Sequence, residues 1–336
     1  MFDDKVVLVT GGTGSFGKRF TSYLFSNYKP RKVVIFSRDE FKQFEMSAAF
    51  HEPEHEIRYF IGDIRDKERL YRSFEGVDYV IHAAALKQVP AAEYNPFEAV
   101  KTNVLGAQNI IDAAIDRGVK KVIALSTDKA VSPINLYGAT KLAMEKLLIA
   151  ANAYAGTKDT CFSVVRYGNV IGSRGSVIPY FKSYMNNGGR KLPITDERMT
   201  RFWITLQQGV ELVARAAREA MGGEVFVPKI PSMKVLDLAR AIAPECEHEV
   251  IGIRPGEKLH ESLISKDEGR NTVDTEQDYV ILPLSANGNK RFHKYSKYPR
   301  MGEGFSYRSD TNDHWLTVND LVQLVKEVES EQRDSL

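Results

Sequence analysis

Cysteine is scarce in this sequence, and long apolar runs are missing. Two cysteines, Cys161 and Cys246, lie far apart in 336 residues and lack C-x-x-C spacing, so we expect reduced thiols rather than a disulfide framework. No apolar run approaches the ~18 residues that a membrane span requires. The residues after Met1 show no charged-then-apolar signal region. These absences predict a cytoplasmic protein that has no membrane partner.

The chain also lacks a strong charge of either sign and a metal-ligating motif. Lys and Arg number 46 against 44 Asp and Glu, which leaves a net charge of +2. Because the basic residues are dispersed, nothing indicates binding to nucleic acid. The seven histidines form no H-E-x-x-H or comparable grouping, so no structural or catalytic metal is expected.

Short apolar runs alternate with amphipathic segments through the first half of the chain. The apolar runs predict strands at 6–9, 33–36, 57–61, 79–81, 122–125 and 162–165. The segments between them predict helices near 15–27, 39–50, 66–74, 97–117 and 136–154. Repeated β-α units favour an α/β fold with a doubly wound parallel sheet of the Rossmann type.

The pattern changes after Asn169, where Gly- and Pro-rich connections begin. The stretch 271–308 is polar and aromatic with weak periodicity, and further helices are predicted near 205–220, 234–243 and 317–330. We therefore expect residues 1–168 to bind a dinucleotide and residues 169–336 to form a smaller domain that mainly binds the substrate. A helix and a strand near 203–228 are expected to return to the first domain.

A glycine-rich segment directly follows the first predicted strand. Gly12, Gly14 and Gly17 satisfy G-x-G-x-x-G, and Gly11 with the last two also satisfies G-x-x-G-x-x-G. Because glycine has no side chain, backbone amides and the next helix N-terminus can approach a pyrophosphate. A P-loop is the rival interpretation, but Arg19 stands where Ser or Thr would hold Mg²⁺. The segment therefore predicts a nicotinamide dinucleotide site.

The end of the second predicted strand bears on which dinucleotide binds. Ser37 and Arg38 follow the glycine segment by about twenty residues, at the position where Arg can hold a 2′-phosphate. They favour NADP, although the neighbouring Asp39 leaves NAD open. Asp63 and Ile64, at the end of the third strand, are placed to contact the adenine.

A second group of polar residues follows the fifth predicted strand. Thr127, Asp128 and Lys129 end that strand, at the edge where open α/β sheets bind ligands. Tyr137 and Lys141 are four residues apart and share one face of the next helix. A tyrosinate is a base for a sugar hydroxyl only if its pKa falls from about 10 towards neutrality. Lys141 and an oxidised nicotinamide could jointly lower it, and Thr127 can hydrogen-bond the same hydroxyl.

Beside the glycine segment, the sequence contains further short motifs. They are Phe36-Ser37-Arg38-Asp39-Glu40, His82-Ala-Ala-Ala-Leu-Lys87, Glu93-Tyr94-Asn95-Pro96, Ser126-Thr127-Asp128-Lys129-Ala130, Tyr137-Gly-Ala-Thr-Lys141, Arg166-Tyr167-Gly168-Asn169-Val170, Ser173-Arg174-Gly175-Ser176-Val177, Met199-Thr200-Arg201-Phe202 and Arg254-Pro255-Gly256-Glu257-Lys258. Together they resemble the extended short-chain dehydrogenase/reductase superfamily. More closely they resemble the inverting UDP-N-acetylglucosamine 4,6-dehydratases, which open the pseudaminic acid pathway. The resemblance runs from about Lys5 to beyond Ser265.

The resemblance implies a reaction that regenerates a tightly bound NADP. Tyr137, supported by Thr127 and Lys141, takes the C4 hydroxyl proton as hydride passes to NADP⁺. Lys129 is then the C5 base, Asp128 protonates the departing C6 hydroxyl, and hydride returns to C6. An amine works as a base near neutral pH only if burial or a nearby cation lowers its pKa.

The resemblance also implies the binding residues and the partners. The expected cofactor contacts are Gly11, Thr13, Gly14, Ser15, Phe16, Gly17, Ser37, Arg38, Asp39, Glu40, Lys42, Asp63, Ile64, Ala83, Lys87, Tyr137 and Lys141. The expected contacts with UDP-N-acetylglucosamine are Lys87, Asn169, Arg201, Arg254 and Glu257, where the two arginines suit bidentate binding of phosphate. Asn103 is expected to orient active-site groups from its helix, and His82 to pack within its strand. A homo-oligomer is expected.

Other interpretations remain open. Retaining UDP-sugar dehydratases and 4-epimerases are similar, but the retaining dehydratases carry Asp-Glu where this chain has Asp128-Lys129, so Lys129 favours inversion at C5. Capsule-pathway UDP-N-acetylglucosamine dehydratase/C5-epimerases share most motifs but have Met at the position of Tyr137. Tyr137, Trp203 and Pro255 favour the pseudaminic branch. A non-enzymatic NADP-sensing protein would have to explain an intact set of reacting residues.

Overall fold

The computed structural model describes residues 1–50, 56–156, 158–172, 177–189, 191–286 and 288–334. The strands are β1 Val6–Thr10, β2 Lys32–Ser37, β3 Ile57–Ile61, β4 Tyr79–His82, β5 Lys121–Thr127, β6 Cys161–Tyr167, β7 Asn169–Val170, β8 Lys191–Ile194, β9 Thr200–Ile204, β10 Val225–Pro228, β11 Ser232–Lys234, β12 Glu247–Val250, β13 Ser262–Ile264, β14 Thr272–Thr275, β15 Asp278–Ile281 and β16 Tyr307–Arg308. The α-helices are α1 Ser15–Asn27, α2 Glu40–Ala49, α3 Lys67–Ser73, α4 Val89–Tyr94, α5 Pro96–Val100, α6 Gly106–Arg117, α7 Leu136–Tyr154, α8 Val177–Asn186, α9 Leu206–Glu219, α10 Val235–Ile242, α11 Lys266–Gly269 and α12 Val318–Asp334. A π-helical turn, Lys101–Leu105, joins α5 to α6, and a 3-10 turn, Asp128–Ala130, follows β5.

Nine strands of the described chain form one sheet, in the order β14-β15-β10-β6-β5-β4-β1-β2-β3. The strands from β10 to β3 are parallel, and β15 and β14 add an antiparallel hairpin at one edge. The chain order reverses between β1 and β4, which is the switch point where such sheets bind ligands. The doubly wound parallel sheet predicted from the sequence is confirmed, and each of the six predicted strands lies within an observed one.

The central strands are buried because helices cover the sheet. All residues of β1 and β6 are buried, which explains why Val, Leu and Phe dominate their apolar runs. Helix α1 packs with α9, and α6 packs with α3 and α7. These helices leave the carboxyl edge of the parallel strands to the loops, and those loops carry the predicted site residues.

The stretch 271–308 contains regular strands, although its sequence shows only weak periodicity. It contributes the hairpin β14–β15, which pairs with β10. Each strand of the hairpin is only four residues long, too short for a clear period of two to be read from the sequence. Strand β10 pairs in parallel with β6, and α9 packs on β5 and β6. The division of the chain into two domains stays a prediction.

The rest of the C-terminal half forms smaller sheets, β11-β9-β7, β12-β8 and β13-β16. Helices α8, α10 and α12 surround a separate apolar cluster that includes Trp203, Met233 and Leu238. Residues 173–176 of the Ser-Arg-Gly-Ser-Val motif lie outside the described residues. Over the part of the chain that the structure describes, no helix is long and apolar enough to cross a membrane.

Candidate active site

The glycine segment forms a tight turn between β1 and α1. Gly11 has a φ of +65°, and a Cβ there would lie 2.9 Å from the Ala84 Cα. A Cβ on Gly17 would lie within 2.5 Å of the Gly12 Cα, so both positions exclude larger residues. The N-cap residue Gly14 makes no side-chain cap to α1, and the amides of the first helical turn remain available for an anion. The turn fits a dinucleotide pyrophosphate.

Two charged residues follow β2, Arg38 and Asp39, and their surroundings differ. The Arg38 side chain is 58% exposed and lies 3.8 Å from the Asp63 carboxylate. Asp39 caps α2 by accepting a hydrogen bond from the Lys42 amide at 3.0 Å. Its other oxygen lies 2.6 Å from the Lys42 Nζ, and the hydrogen bonds from Lys42 hold the pKa of the Asp39 carboxyl below its usual range. Asp39 is therefore engaged by its own helix, whereas the guanidinium of Arg38 is open to solvent.

The remaining predicted cofactor residues lie around the same strand ends. Ser37 is buried, and its hydroxyl accepts a hydrogen bond from Gln43 at 2.9 Å. Ile64 is buried under Gly106, and the amide of Ala83 donates to the Thr10 carbonyl at 3.2 Å. Thr13 is buried, Phe16 stacks on Phe20, Glu40 begins α2, and Ser15 begins α1. Burial lowers the pKa of Lys87.

Asp128 and Lys129 form a compact ion pair at the end of β5. The Asp128 side chain is 0% exposed, and its Oδ1 accepts from the Thr127 hydroxyl at 2.8 Å and from the Lys129 Nζ at 3.1 Å. The Asp128 Oδ2 has no hydrogen-bond partner among the described residues. A buried carboxylate oxygen without a donor is costly, and here it is available to a ligand.

The charges around Lys129 act on its pKa in the direction opposite to the one that an amine base needs. Burial alone would lower the pKa of the Lys129 ammonium, but the charges of Asp128 and Glu261 outweigh it and raise that pKa. The Lys129 Nζ lies 3.7 Å from a Glu261 oxygen and 3.3 Å from the Asn169 Oδ1. The groups around Lys129 therefore do not supply the lowered pKa that a base requires.

Tyr137 and Lys141 lie on the first turns of α7, as their spacing predicts. Burial raises the pKa of Tyr137 to about 12, against the Lys129 charge and a hydrogen bond with Thr127 that lower it. Burial lowers the pKa of Lys141 to about 8, and its Nζ lies 3.1 Å from the Met144 sulfur. The cation that lowers the Tyr137 pKa in this structure is thus Lys129, although the sequence analysis expected Lys141.

Asn103 lies in the π-helical turn and joins two site elements. Its Oδ1 accepts from the Leu86 amide at 2.9 Å, while its Nδ2 donates to the Leu86 carbonyl at 2.9 Å and to the Thr140 hydroxyl at 3.0 Å. The loop after β4 is thereby tied to α7 beside Lys141. Single π-turns are frequent at functional sites because they re-aim one side chain.

The predicted substrate residues fall into two groups. Asn169 touches Lys129, as described above, and one Glu257 carboxylate oxygen is buried without a donor in the described chain. Arg254 is exposed. Arg201 is buried and uses its guanidinium on the carbonyls of Thr200, Lys258 and Leu259 at 2.7–3.1 Å. In this structure Arg201 therefore anchors the loop that carries Arg254 and Glu257.

The structure adds Lys258 and Glu261 to the site. The sequence showed Lys258 only as the last residue of a motif, and it gave no indication of Glu261. The Lys258 Nζ donates to the Val131 carbonyl at 2.6 Å and lies 3.8 Å from the Glu261 Oε2. The first contact joins Lys258 to the residue that follows the 3-10 turn after β5, 127 positions earlier in the chain, whereas the second is local, three residues along. The motif 254–258 was a signal for Lys258, whereas Glu261 lies beyond every motif.

Comparisons with known proteins agree with this geometry. The family model described as "Polysaccharide biosynthesis protein" matches residues 7–283. A UDP-N-acetylglucosamine 4,6-dehydratase (inverting) of Campylobacter jejuni subsp. jejuni serotype O:2 is 55% identical over 335 residues, which cover 98% of this chain and 99% of the relative. A UDP-glucose 4-epimerase of Rickettsia massiliae is 45% identical over 310 residues, with coverage of 90% and 89%. The X-ray structure of Pen from Bacillus thuringiensis superposes with a TM-score of 0.88 at 39% identity, covering 97% of this chain and 98% of that one.

Proposed function

This chain belongs to the polysaccharide biosynthesis protein family, within the extended short-chain dehydrogenase/reductases, and we propose that it is an inverting UDP-N-acetylglucosamine 4,6-dehydratase. The product would be UDP-2-acetamido-2,6-dideoxy-β-L-arabino-hex-4-ulose. The Campylobacter relative, similar over nearly the full length of both chains, supports this substrate and reaction. We further propose that the reaction is the first step of pseudaminic acid biosynthesis and that the protein acts in the cytoplasm as a homo-oligomer.

One observation carries the proposal: an acid and an amine lie together at the end of β5, beside Tyr137. Asp128 keeps one buried oxygen without a donor among the described residues, and Lys129 lies 3.1 Å from its other oxygen. Elimination of water needs a proton removed from one carbon and a proton delivered to the hydroxyl that leaves the next. A simple hydroxyl oxidation would need only Tyr137 and Lys141.

The glycine turn, the uncapped start of α1 and the solvent-facing Arg38 fit an NADP molecule. When bound, NADP would accept a hydride from the sugar C4 and return it to C6, so that no net oxidation results. The engagement of Asp39 by Lys42 supports NADP over NAD, because a carboxylate committed to its own helix is less suited to a ribose 2′-hydroxyl.

The residues of this chain then have separate tasks. Tyr137 takes the proton of the C4 hydroxyl, while Thr127 hydrogen-bonds that hydroxyl and Lys141 supplies positive charge. The 4-ketone acidifies C5, and Lys129 removes the C5 proton. Asp128 gives a proton to the C6 hydroxyl, which leaves as water. When hydride returns to C6, C5 takes a new proton from solvent on the opposite face, and this step inverts C5. Asn169, Lys87, Arg254 and Glu257 are proposed to bind the sugar and the nucleotide, while Arg201 holds the loop in place.

The test is turnover of UDP-N-acetylglucosamine in D₂O, followed by NMR. We expect a 4-keto-6-deoxy product of L-arabino configuration that carries deuterium at C5. A D-xylo product would contradict inversion, and an unconsumed substrate would contradict dehydratase activity. Interconversion with UDP-N-acetylgalactosamine would instead support a 4-epimerase, the activity named for the Rickettsia relative.

Replacement of Lys129 separates its role from binding. Lys129→Ala should slow C5 exchange by about 10²–10⁴-fold, the usual contribution of a general base, while binding of NADP is retained. Lys191→Ala is the matched control, because Lys191 is exposed and pairs only with the exposed Glu247 among the described contacts. Equal C5 exchange in Lys129→Ala and in the control would remove Lys129 from its role.

A further inference from the structure

Glu261 is a buried carboxylate at the junction between the two halves of the site. It is 2% exposed and directly precedes β13, which lies against the 3-10 turn that carries Lys129. Its backbone is held on both sides: its amide donates to the Ser309 Oγ at 2.9 Å, and its carbonyl accepts from the Ser309 amide at 2.9 Å. The position of the side chain is therefore determined by the fold.

Charged groups from three elements face the Glu261 carboxylate. Its Oε1 lies 3.7 Å from the Lys129 Nζ and 4.0 Å from the Arg201 Nε, and its Oε2 lies 3.8 Å from the Lys258 Nζ. Asp128 is the acidic neighbour, and burial followed by the Asp128 charge raises the pKa of Glu261. The nearest cation of the reacting set is Lys129.

Among the described residues, no hydrogen bond to the fold accounts for the Oε2 of this carboxylate. Its Oε2 is buried without a donor in the part of the chain that the structure describes. By contrast, Glu145, a buried glutamate within α7, accepts from Arg166 through both oxygens at 3.1 and 2.6 Å. Buried carboxylates that serve the fold are normally satisfied in this way. The missing donor at the Glu261 Oε2 indicates that this carboxylate has a role in the site.

We propose that Glu261 is a positioning residue that holds the Lys129 ammonium beside Asp128 and sets the pH at which Lys129 can act as a base. This inference rests on the proposed function. Lys129 becomes a base when one proton moves across the 3.1 Å hydrogen bond to Asp128, breaking an N–H bond and forming an O–H bond. Removal of the C5 proton and protonation of the leaving hydroxyl restore the ion pair. An anion at Glu261 stabilises the ammonium and opposes the first of these transfers.

The direct test is the titration of Lys129 without substrate. Reactivity of Lys129 towards acetic anhydride, followed against pH by peptide mass spectrometry, reports its pKa in the wild type and in Glu261→Gln. We expect the pKa of Lys129 to fall by about one to three units in Glu261→Gln, the usual effect of removing an opposite charge within 4–6 Å. Glu261→Asp keeps the charge and should stay near the wild-type value. An unchanged pKa in Glu261→Gln overturns the proposal.

The second readout is the pH profile of kcat for UDP-N-acetylglucosamine turnover. The Asp128–Lys129 pair acts with one shared proton, so the rising limb of the profile reports the pKa at which the pair loses a second proton. Removing the Glu261 charge lowers that pKa, so Glu261→Gln should move the limb towards acid and Glu261→Asp should not. Glu268→Gln is the control, since Glu268 pairs with the buried Arg166 at 3.0 Å and should alter stability without moving the limb. A uniform loss of kcat in Glu261→Gln, with no shift, would indicate a merely structural role. An inactive wild type whose Lys129 pKa still responds to Glu261→Gln would refute the proposed function alone.

Discussion

His82 makes the stability of the fold depend on pH in a way that can be calculated. It ends β4 and is 1% exposed. Its Nδ1 lies 2.8 Å from the Thr10 hydroxyl oxygen, whereas its Nε2 has no partner among the described residues. Burial, together with the charge of Lys141, lowers the pKa of His82 to about 3. The neutral ring is therefore the form that the native structure accommodates, as the sequence analysis expected for a packed strand residue.

The direction and the size of the pH effect on stability follow from the difference in proton binding between the native and the unfolded chain. In the unfolded chain the pKa of a histidine is about 6.5, so between these two values the unfolded chain binds a proton that the native chain does not. The contribution of neutral His82 is complete above a pH of about 6.5 and is lost as the pH falls towards the folded value. At a pH of about 5 the loss is about 2 kcal/mol, since each unit below 6.5 costs about 1.4 kcal/mol.

Urea unfolding of wild type and His82→Phe at pH values of about 8 and 5 measures this loss. Phe cannot titrate. Between these two pH values we therefore expect the free energy of unfolding of His82→Phe to fall by about 2 kcal/mol less than that of the wild type. The lost contact with Thr10 lowers the stability of the variant at both pH values and cancels in the comparison. His293→Gln is the control, because His293 is exposed, and it should keep the wild-type pH slope. Equal slopes for wild type and His82→Phe would refute the reasoning.

Two further predictions concern the cofactor and the core. Arg38→Ala should weaken NADPH binding by about 10–100-fold, the value of a charge-assisted hydrogen bond of about 1.5–3 kcal/mol, and leave NADH binding nearly unchanged in fluorescence titrations. Equal losses for both cofactors would contradict a 2′-phosphate contact. Arg166→Met should lower the free energy of unfolding in urea by about 3–5 kcal/mol, because it leaves Glu145 buried without its partner at 2.6 Å. A loss below about 1 kcal/mol would contradict a stabilising contribution of this ion pair.

The parallel sheet was predictable because its signal is local. Strand β5 is an almost entirely buried run. The glycine segment directly after β1 has the G-x-G-x-x-G spacing, which is typical of a dinucleotide-binding turn between a strand and a helix. The same reasoning placed Tyr137 and Lys141 on one helix and Asp128 with Lys129 at a strand end. Local spacing determines which residues share an element, and the sheet topology then determines which strand ends meet.

Contacts between distant segments were not predictable in this way. Glu261 reaches Lys129 only because β13 lies against the turn after β5, and no residue near Glu261 indicates that contact. The raised pKa of Lys129 was not predictable for the same reason, since the sequence shows Asp128 beside Lys129 but not the second carboxylate. Arg201 suits a phosphate by its chemistry, yet the fold directs its donors to backbone carbonyls.

The protonation states of Tyr137 and Lys129 couple the proposed chemistry to the binding of the cofactor. Tyr137 and Lys129 are both proposed bases, yet burial raises the pKa of Tyr137 to about 12 and two carboxylates raise that of Lys129. In the surroundings that this structure gives them, both residues therefore hold their protons near neutral pH. Lowering the Tyr137 pKa to about 7 requires about 7 kcal/mol, which Lys129 and Thr127 do not supply in this structure. The positive charge of an oxidised nicotinamide, bound as proposed, would act in the required direction. In the proposed mechanism the deprotonation of Tyr137 would therefore depend on the cofactor, and that of Lys129 on the ketone that follows.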